Sequence, residues 1–127
     1  FLEKVRRYAP LLERLENRIP VSCRVEFSAR TGSYAAYTRD ISPHGLFLKS
    51  VRPFAIGTRL RLVLHLPVRQ DPAGRRTRPL ELQGEVRRLV RPAPGSHFLP
   101  GIGVRFQDIP PEALMAIEEF IAARRIR

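Results

Sequence analysis

Apolar residues recur along this chain in two rhythms, and the change between them divides it. From Phe1 to about Leu15, the residues Leu2, Val5, Leu11, Leu12 and Leu15 fall at roughly helical spacing, broken by Pro10, among charges of both signs. This predicts a short N-terminal helical segment. From Val21 the period becomes two: Val21, Cys23, Val25 and Phe27 alternate with Ser22, Arg24 and Glu26. Thr31 and Gly32 then supply a turn before Tyr34 to Arg39, so the pair predicts a β-hairpin. Further strands are expected at Gly45 to Ser50, Arg59 to Leu66, Leu80 to Leu89 and Gly101 to Phe106. Pro53 with Gly57, the polar run from Gln70 to Pro79, and Pro92 to Gly95 separate them.

Six short strands joined by turns, with no helix between them, favour an antiparallel barrel or sandwich over a parallel sheet. A small six-stranded antiparallel β-barrel is preferred, because closure removes exposed edges. After it, Pro110, Pro111 and Glu112 open a C-terminal α-helix whose Leu114, Ile117, Phe120 and Ile121 share a face, with Arg124 and Arg125 near its negative end. That face is expected to pack on the barrel. The fold class is therefore mainly β.

Charge narrows the partner. The net charge is +11 over 127 residues, and Lys4 and Lys49 are the only lysines, so arginine supplies nearly all of it. This points to an anionic partner: a nucleotide, a nucleic acid or a membrane surface. Arginine grips phosphate or a guanine edge with a planar fork and stacks on flat rings. Arginine used simply as a solvated surface residue accounts for many of these positions equally well.

Other chemistry is thinly represented. The lone Cys23 cannot form an internal disulfide or a cysteine-based zinc site; it fits a reducing, cytoplasmic setting and reads as a small buried thiol. His44, His65 and His97 are scattered without metal-ligand spacing. No nucleophile–base pair or paired acids stand out, so an enzyme is not expected, and neither is a cofactor. No apolar run approaches the length of a membrane-spanning helix. The chain begins at Phe1 rather than Met, which fits a piece of a longer protein.

The candidate site lies in the hexapeptide Asp40-Ile-Ser-Pro-His-Gly45, expected as a turn at a barrel rim between the second and third strands. Asp40 can accept two hydrogen bonds, Ser42 can donate or accept one, and Gly45 permits a backbone angle or close approach that a side chain would block. A carboxylate there matches the N1–H and amino donors of guanine's Watson–Crick edge. Equally, Asp40 and Ser42 can cap the turn through their own backbone. Upstream stand Arg14 and Arg18, four residues apart, followed by Ile19-Pro20-Val21.

Arg14 with Arg18, then Asp40, Ser42 and Gly45, in that order around a hairpin, resemble the RxxxR and (D/N)xSxxG motifs of the PilZ domain, the bacterial receptor domain for the second messenger cyclic di-GMP. The resemblance extends through Gly45–Ser50, Gly57–Leu62, Gly101–Phe106 and the closing helix, covering about residues 14–126, so 14–127 is expected to be the domain and 1–13 a helical linker or N-terminal extension. It implies a PilZ-type barrel and a non-enzymatic receptor that signals through conformational change to a partner or adjoining domain. By it, Arg14 and Arg18 inherit contacts to phosphate and the guanine Hoogsteen edge or face, Asp40 and Ser42 the guanine contacts, and Gly45 the turn. Arg39 and Gly103 are additional candidate contacts. RxxxR alone is weak in so arginine-rich a chain: Arg87 with Arg91 matches it too. Glu13 stands where many members that bind an intercalated ligand dimer carry another arginine, which favours a single ligand or weaker binding. Two alternatives remain: a PilZ-like adaptor acting by protein contact without nucleotide, and, ranked third, a basic barrel binding nucleic acid. The third expects aromatics interleaved with basic residues on one face, whereas Tyr34 and Tyr37 fall on opposite faces, Trp is absent, and Phe27, Phe47 and Phe106 read as core.

Overall fold

The computed structural model describes residues 18–50, 52–68, 71, 75–97 and 99–125. The predicted N-terminal helical segment, with Arg14 and Glu13, lies outside the described residues. Seven antiparallel strands follow one another: β1 (Ile19–Pro20), β2 (Arg24–Ala29), β3 (Gly32–Ser42), β4 (Gly45–Lys49), β5 (Arg59–Pro67), β6 (Thr77–Val90) and β7 (Gly101–Gln107), then the helix α1 (Pro111–Arg125). Strand order is β1-β3-β2-β5-β6-β7-β4, and β3 also pairs with β4, closing β2 to β7 into a six-stranded barrel with β1 as an extra strand.

Alternation produces this closure. Val25, Phe27, Ile41, Leu46, Leu48, Leu60, Leu62, Leu64, Leu82, Val86, Ile102 and Val104 point inward and are buried, while the residues between them face out. Phe54, from the loop before β5, closes one end by packing edge-on against Phe27 and Tyr34, with ring centroids 5.7 and 5.3 Å away. Tyr37, on the opposite face of β3 from Tyr34, is exposed.

β1 and β2 run along the same edge of β3 and differ from one continuous strand only by a kink at residues 21–23. The buried Thr38 hydroxyl serves both sides of that kink, accepting a hydrogen bond from the Cys23 amide at 2.9 Å and donating to the Val21 carbonyl at 2.6 Å. Two backbone groups that the kink would orphan are thereby paired. Cys23 beside it is 2% exposed, as a buried thiol should be.

α1 packs against β3 and β6 through Ala113, Ala116, Ile117 and Ile121, with Phe120 partly buried. Leu114, expected on the buried face, is only half-buried; the small Ala113 and Ala116 take the contact, and the face is rotated accordingly. Glu112 in the first turn and Arg124 and Arg125 in the last complement the helix dipole. Among the described residues no helix is long and apolar enough to cross a membrane.

Candidate functional site

β3 carries the site because it continues through it. Asp40 and Ser42 were expected in a turn, yet both belong to the strand, and only Pro43 and His44 form the loop to β4. The polar letters that suggest a turn are held in the sheet by pairing on both sides: Asp40 lies opposite Phe47 of β4 and Pro20 of β1. A β-bulge between Thr38 and Asp40 inserts Arg39 without a partner. Bulges re-aim side chains, and here Arg39 and Asp40, though adjacent, both reach the outer face.

On that face the charges interlock. Arg18, delivered by the pairing of Ile19 with Ile41 and Pro20 with Asp40, donates from Nη1 to Asp40 Oδ1. Arg39 donates from Nε to Asp40 Oδ2 at 2.8 Å, and its guanidinium carbon lies 4.0 Å from the centre of the Phe47 ring. The Asp40 side chain is only 10% exposed, against 39% for Arg18 and 35% for Arg39. A nearly buried carboxylate with a cation on each oxygen is fully paired, and the outer sides of both arginines stay open to solvent.

Phe47 is buried, as expected, but outside the barrel core. Its neighbours Leu46 and Leu48 point inward, so Phe47 lies beneath Arg39. Glycines on β7 make room. A Cβ on Gly101 would come within 2.4 Å of the Phe47 ring, so the ring occupies that space. Gly103, opposite Phe47, is half-buried on the same face.

Ser42 and Gly45 act differently. The Ser42 hydroxyl, 1% exposed, accepts from the amides of His44 and Gly45, each at 3.2 Å, and donates to the Gly45 carbonyl at 3.3 Å. It closes its own loop. Gly45 is required by close approach, since a Cβ there would stand 2.1 Å from the Val104 carbonyl oxygen of β7.

The structure thus brings Arg18, Arg39, Asp40 and Gly103 to one face, and Ser42 and Gly45 into the loop that ends it. Phe47 joins them without having been singled out for the site. Its signal was present: two residues after Gly45, it has the opposite parity to Leu46 and Leu48. Arg87, of the competing RxxxR match, pairs with Glu85 at 3.3 Å on β6. Two concavities, of about 580 and 550 Å³, lie elsewhere, along β2, β5 and β6. The first is lined by Glu26 and Glu81 with Arg61, a poorer match to an anion than the Arg18–Asp40–Arg39 face. Among the described residues no cluster of three or more His, Cys, Asp or Glu is placed to hold a metal ion.

Known proteins share this architecture. The fold is similar to the inhibitor of motility MotI (DgrA) of Bacillus subtilis, with TM-score 0.72 and 21% identity over 86% of this chain and 49% of that one, so this chain spans about half its length. It is similar to the PilZ domain of YcgR from Escherichia coli, solved with cyclic di-GMP, at TM-score 0.63 and 12% identity over 87% and 91% of the two chains. It is also similar to PlzA of Borreliella burgdorferi, solved in complex with cyclic di-GMP, at TM-score 0.56 and 14% identity over 94% and 45%. No curated protein sequence matches. Residues 12–123 match the PilZ domain family, and with the barrel, the extra strand and the closing helix they establish that the chain belongs to it.

Proposed function

We propose that the chain is a receptor domain for cyclic di-GMP, binding it on the face formed by Arg18, Arg39 and Asp40, with Arg14 as a further phosphate contact. The observation that carries this reading is the Asp40 carboxylate, held on the sheet surface with an arginine on each oxygen. Guanine's N1–H and exocyclic amino group present two donors at the spacing of those oxygens, so the base can take the place of arginine on Asp40. Arg18, freed from Asp40, turns its fork to a phosphate or to the O6/N7 edge of a guanine. Arg39 keeps its place above Phe47 and offers its open side to a base. Ser42 and Gly45 contribute by fixing the loop and the seating of β4 on β7; a direct guanine contact from Ser42 requires its hydroxyl to leave the loop. The ligands bound to YcgR and PlzA support the choice of nucleotide.

PilZ domains are non-enzymatic ligand-binding and adaptor domains. The likeness to a motility inhibitor supports an output through protein contact, so binding is read by a partner or an adjoining domain. Exchange of Arg18 from Asp40 to the ligand re-aims the side chain of the residue that leads into β1, which is where such a readout would start.

Calorimetric titration tests this directly. Cyclic di-GMP binds, cyclic di-AMP binds far more weakly because adenine sets a lone pair at N1 against Asp40, and mixed single-stranded DNA does not compete. Arg18→Ala weakens cyclic di-GMP binding by about 1.5–3 kcal/mol, the scale of hydrogen bonds to charged groups, whereas Arg87→Ala changes it little. Equal losses for the two variants, or equal affinity for the two nucleotides, would rule out the site.

A further inference from the structure

The outer face of the barrel does not end at Phe47. In register across three neighbouring strands beyond Asp40 come Phe47 of β4, Gly103 of β7 and Arg88 of β6. These four positions span about three inter-strand spacings, or about 14 Å. A second bulge, between Val86 and Arg88, interrupts the pairing of β6 with β7. Its two arginines are used differently: Arg87 turns to Glu85, while Arg88 stands beside Gly103, its Cβ only 3.0 Å from where a Cβ on Gly103 would be. Arg88 is exposed, and no carboxylate among the described residues pairs with it. Phe47 occupies the space over Gly101, and Gly103, half-buried and without a side chain, lies between Phe47 and Arg88 in the register.

We infer that Arg88 is a specificity-determining residue for the second guanine of the ligand, receiving its O6 and N7 across Gly103 while Asp40 holds the first guanine. The inference rests on the cyclic di-GMP reading above and adds to it the far end of the site. A dinucleotide anchored at Asp40 with its phosphates toward Arg18 extends its other base along the sheet, and Gly103 is the position in that row that carries no side chain of its own. Guanine's O6 and N7 are adjacent acceptors matching the two-pronged guanidinium. Adenine offers N7 beside an amino donor, which a guanidinium cannot satisfy.

The test titrates the unmodified protein, Arg88→Ala and Arg18→Ala with three probes: cyclic di-GMP, the mixed cyclic guanosine–adenosine dinucleotide, and GMP. Arg88→Ala should weaken cyclic di-GMP roughly tenfold or more, the scale of one forked arginine–guanine contact, and change the mixed dinucleotide and GMP by less than about threefold. The preference for two guanines over one then shrinks in this variant. Arg88→Ala binding cyclic di-GMP as the unmodified protein does, while Arg18→Ala loses it, would overturn the contact and leave the receptor reading standing. Equal loss for all three probes would reduce Arg88 to diffuse charge and also overturn it. Absence of binding by the unmodified protein would sink both.

Discussion

Asp40 shows how far a single residue's surroundings depart from its letter. Aspartate before Ile-Ser-Pro-His-Gly is a turn former by composition, yet here its side chain is 10% exposed, paired to Arg18 and Arg39, and its backbone is strand. The motif named the residue. What it could not convey was the bulge that puts Arg39 on the same side, because alternation assigns adjacent residues to opposite faces. Cys23, by contrast, was legible from alternation alone, and its environment makes a prediction. Burial pushes its thiol from the ordinary 9.0 up to about 11, opposed by the nearby Arg124 charge and the Thr38 hydrogen bond. The folded state therefore favours the neutral thiol. Its contribution is complete below pH 9, where both states are protonated, and is lost as the unfolded chain ionises first, between about pH 9 and 11. Denaturant unfolding across that window should show the unmodified protein losing on the order of 2 kcal/mol more stability than Cys23→Ala. Parallel profiles for the two proteins would contradict this.

At the scale of elements, the barrel was readable wherever one face is buried. Arg59 to Leu66 and Gly101 to Phe106 were predicted to within a residue of β5 and β7. β6 starts earlier than expected, at Thr77 instead of Leu80, because its first residues are exposed and pair with β5 where no buried face imprints an alternation. The expected strand from Val21 to Phe27 is broken at residues 21–23, and neighbouring residues alone do not reveal the break, since the group that stabilises it is Thr38, across the sheet. That dependence makes Thr38 the link between the core and the site. Thr38→Val keeps the shape but leaves the Cys23 amide and Val21 carbonyl unpaired, which should cost about 1–3 kcal/mol of stability. Since β1 sets Arg18 against Asp40, the same substitution should weaken cyclic di-GMP binding without touching the ligand. Lost stability with unchanged affinity, measured by unfolding and titration on the same preparation, would show that β1 is positioned by other means.

Over the whole molecule, charge and shape point to different places. Among the described residues the exposed arginines are spread over several strands, and two clefts follow β2, β5 and β6, so neither net charge nor concavity singles out the face that carries the motif. What distinguishes that face is arrangement: one carboxylate between two arginines, an aromatic ring beneath one of them, and on the neighbouring strand two glycines, one of which gives that ring its space. A ligand held by this arrangement perturbs one patch, whereas a ligand held by diffuse charge perturbs many. Amide chemical shifts of isotope-labelled protein, followed as cyclic di-GMP is added, separate the two. Large shifts should gather at Arg18, Arg39, Asp40, His44 and Gly103, with Glu26, Val63 and Glu81 on β2, β5 and β6 unmoved. Shifts centred on β2 and β5, or spread evenly over the exposed arginines, would contradict it.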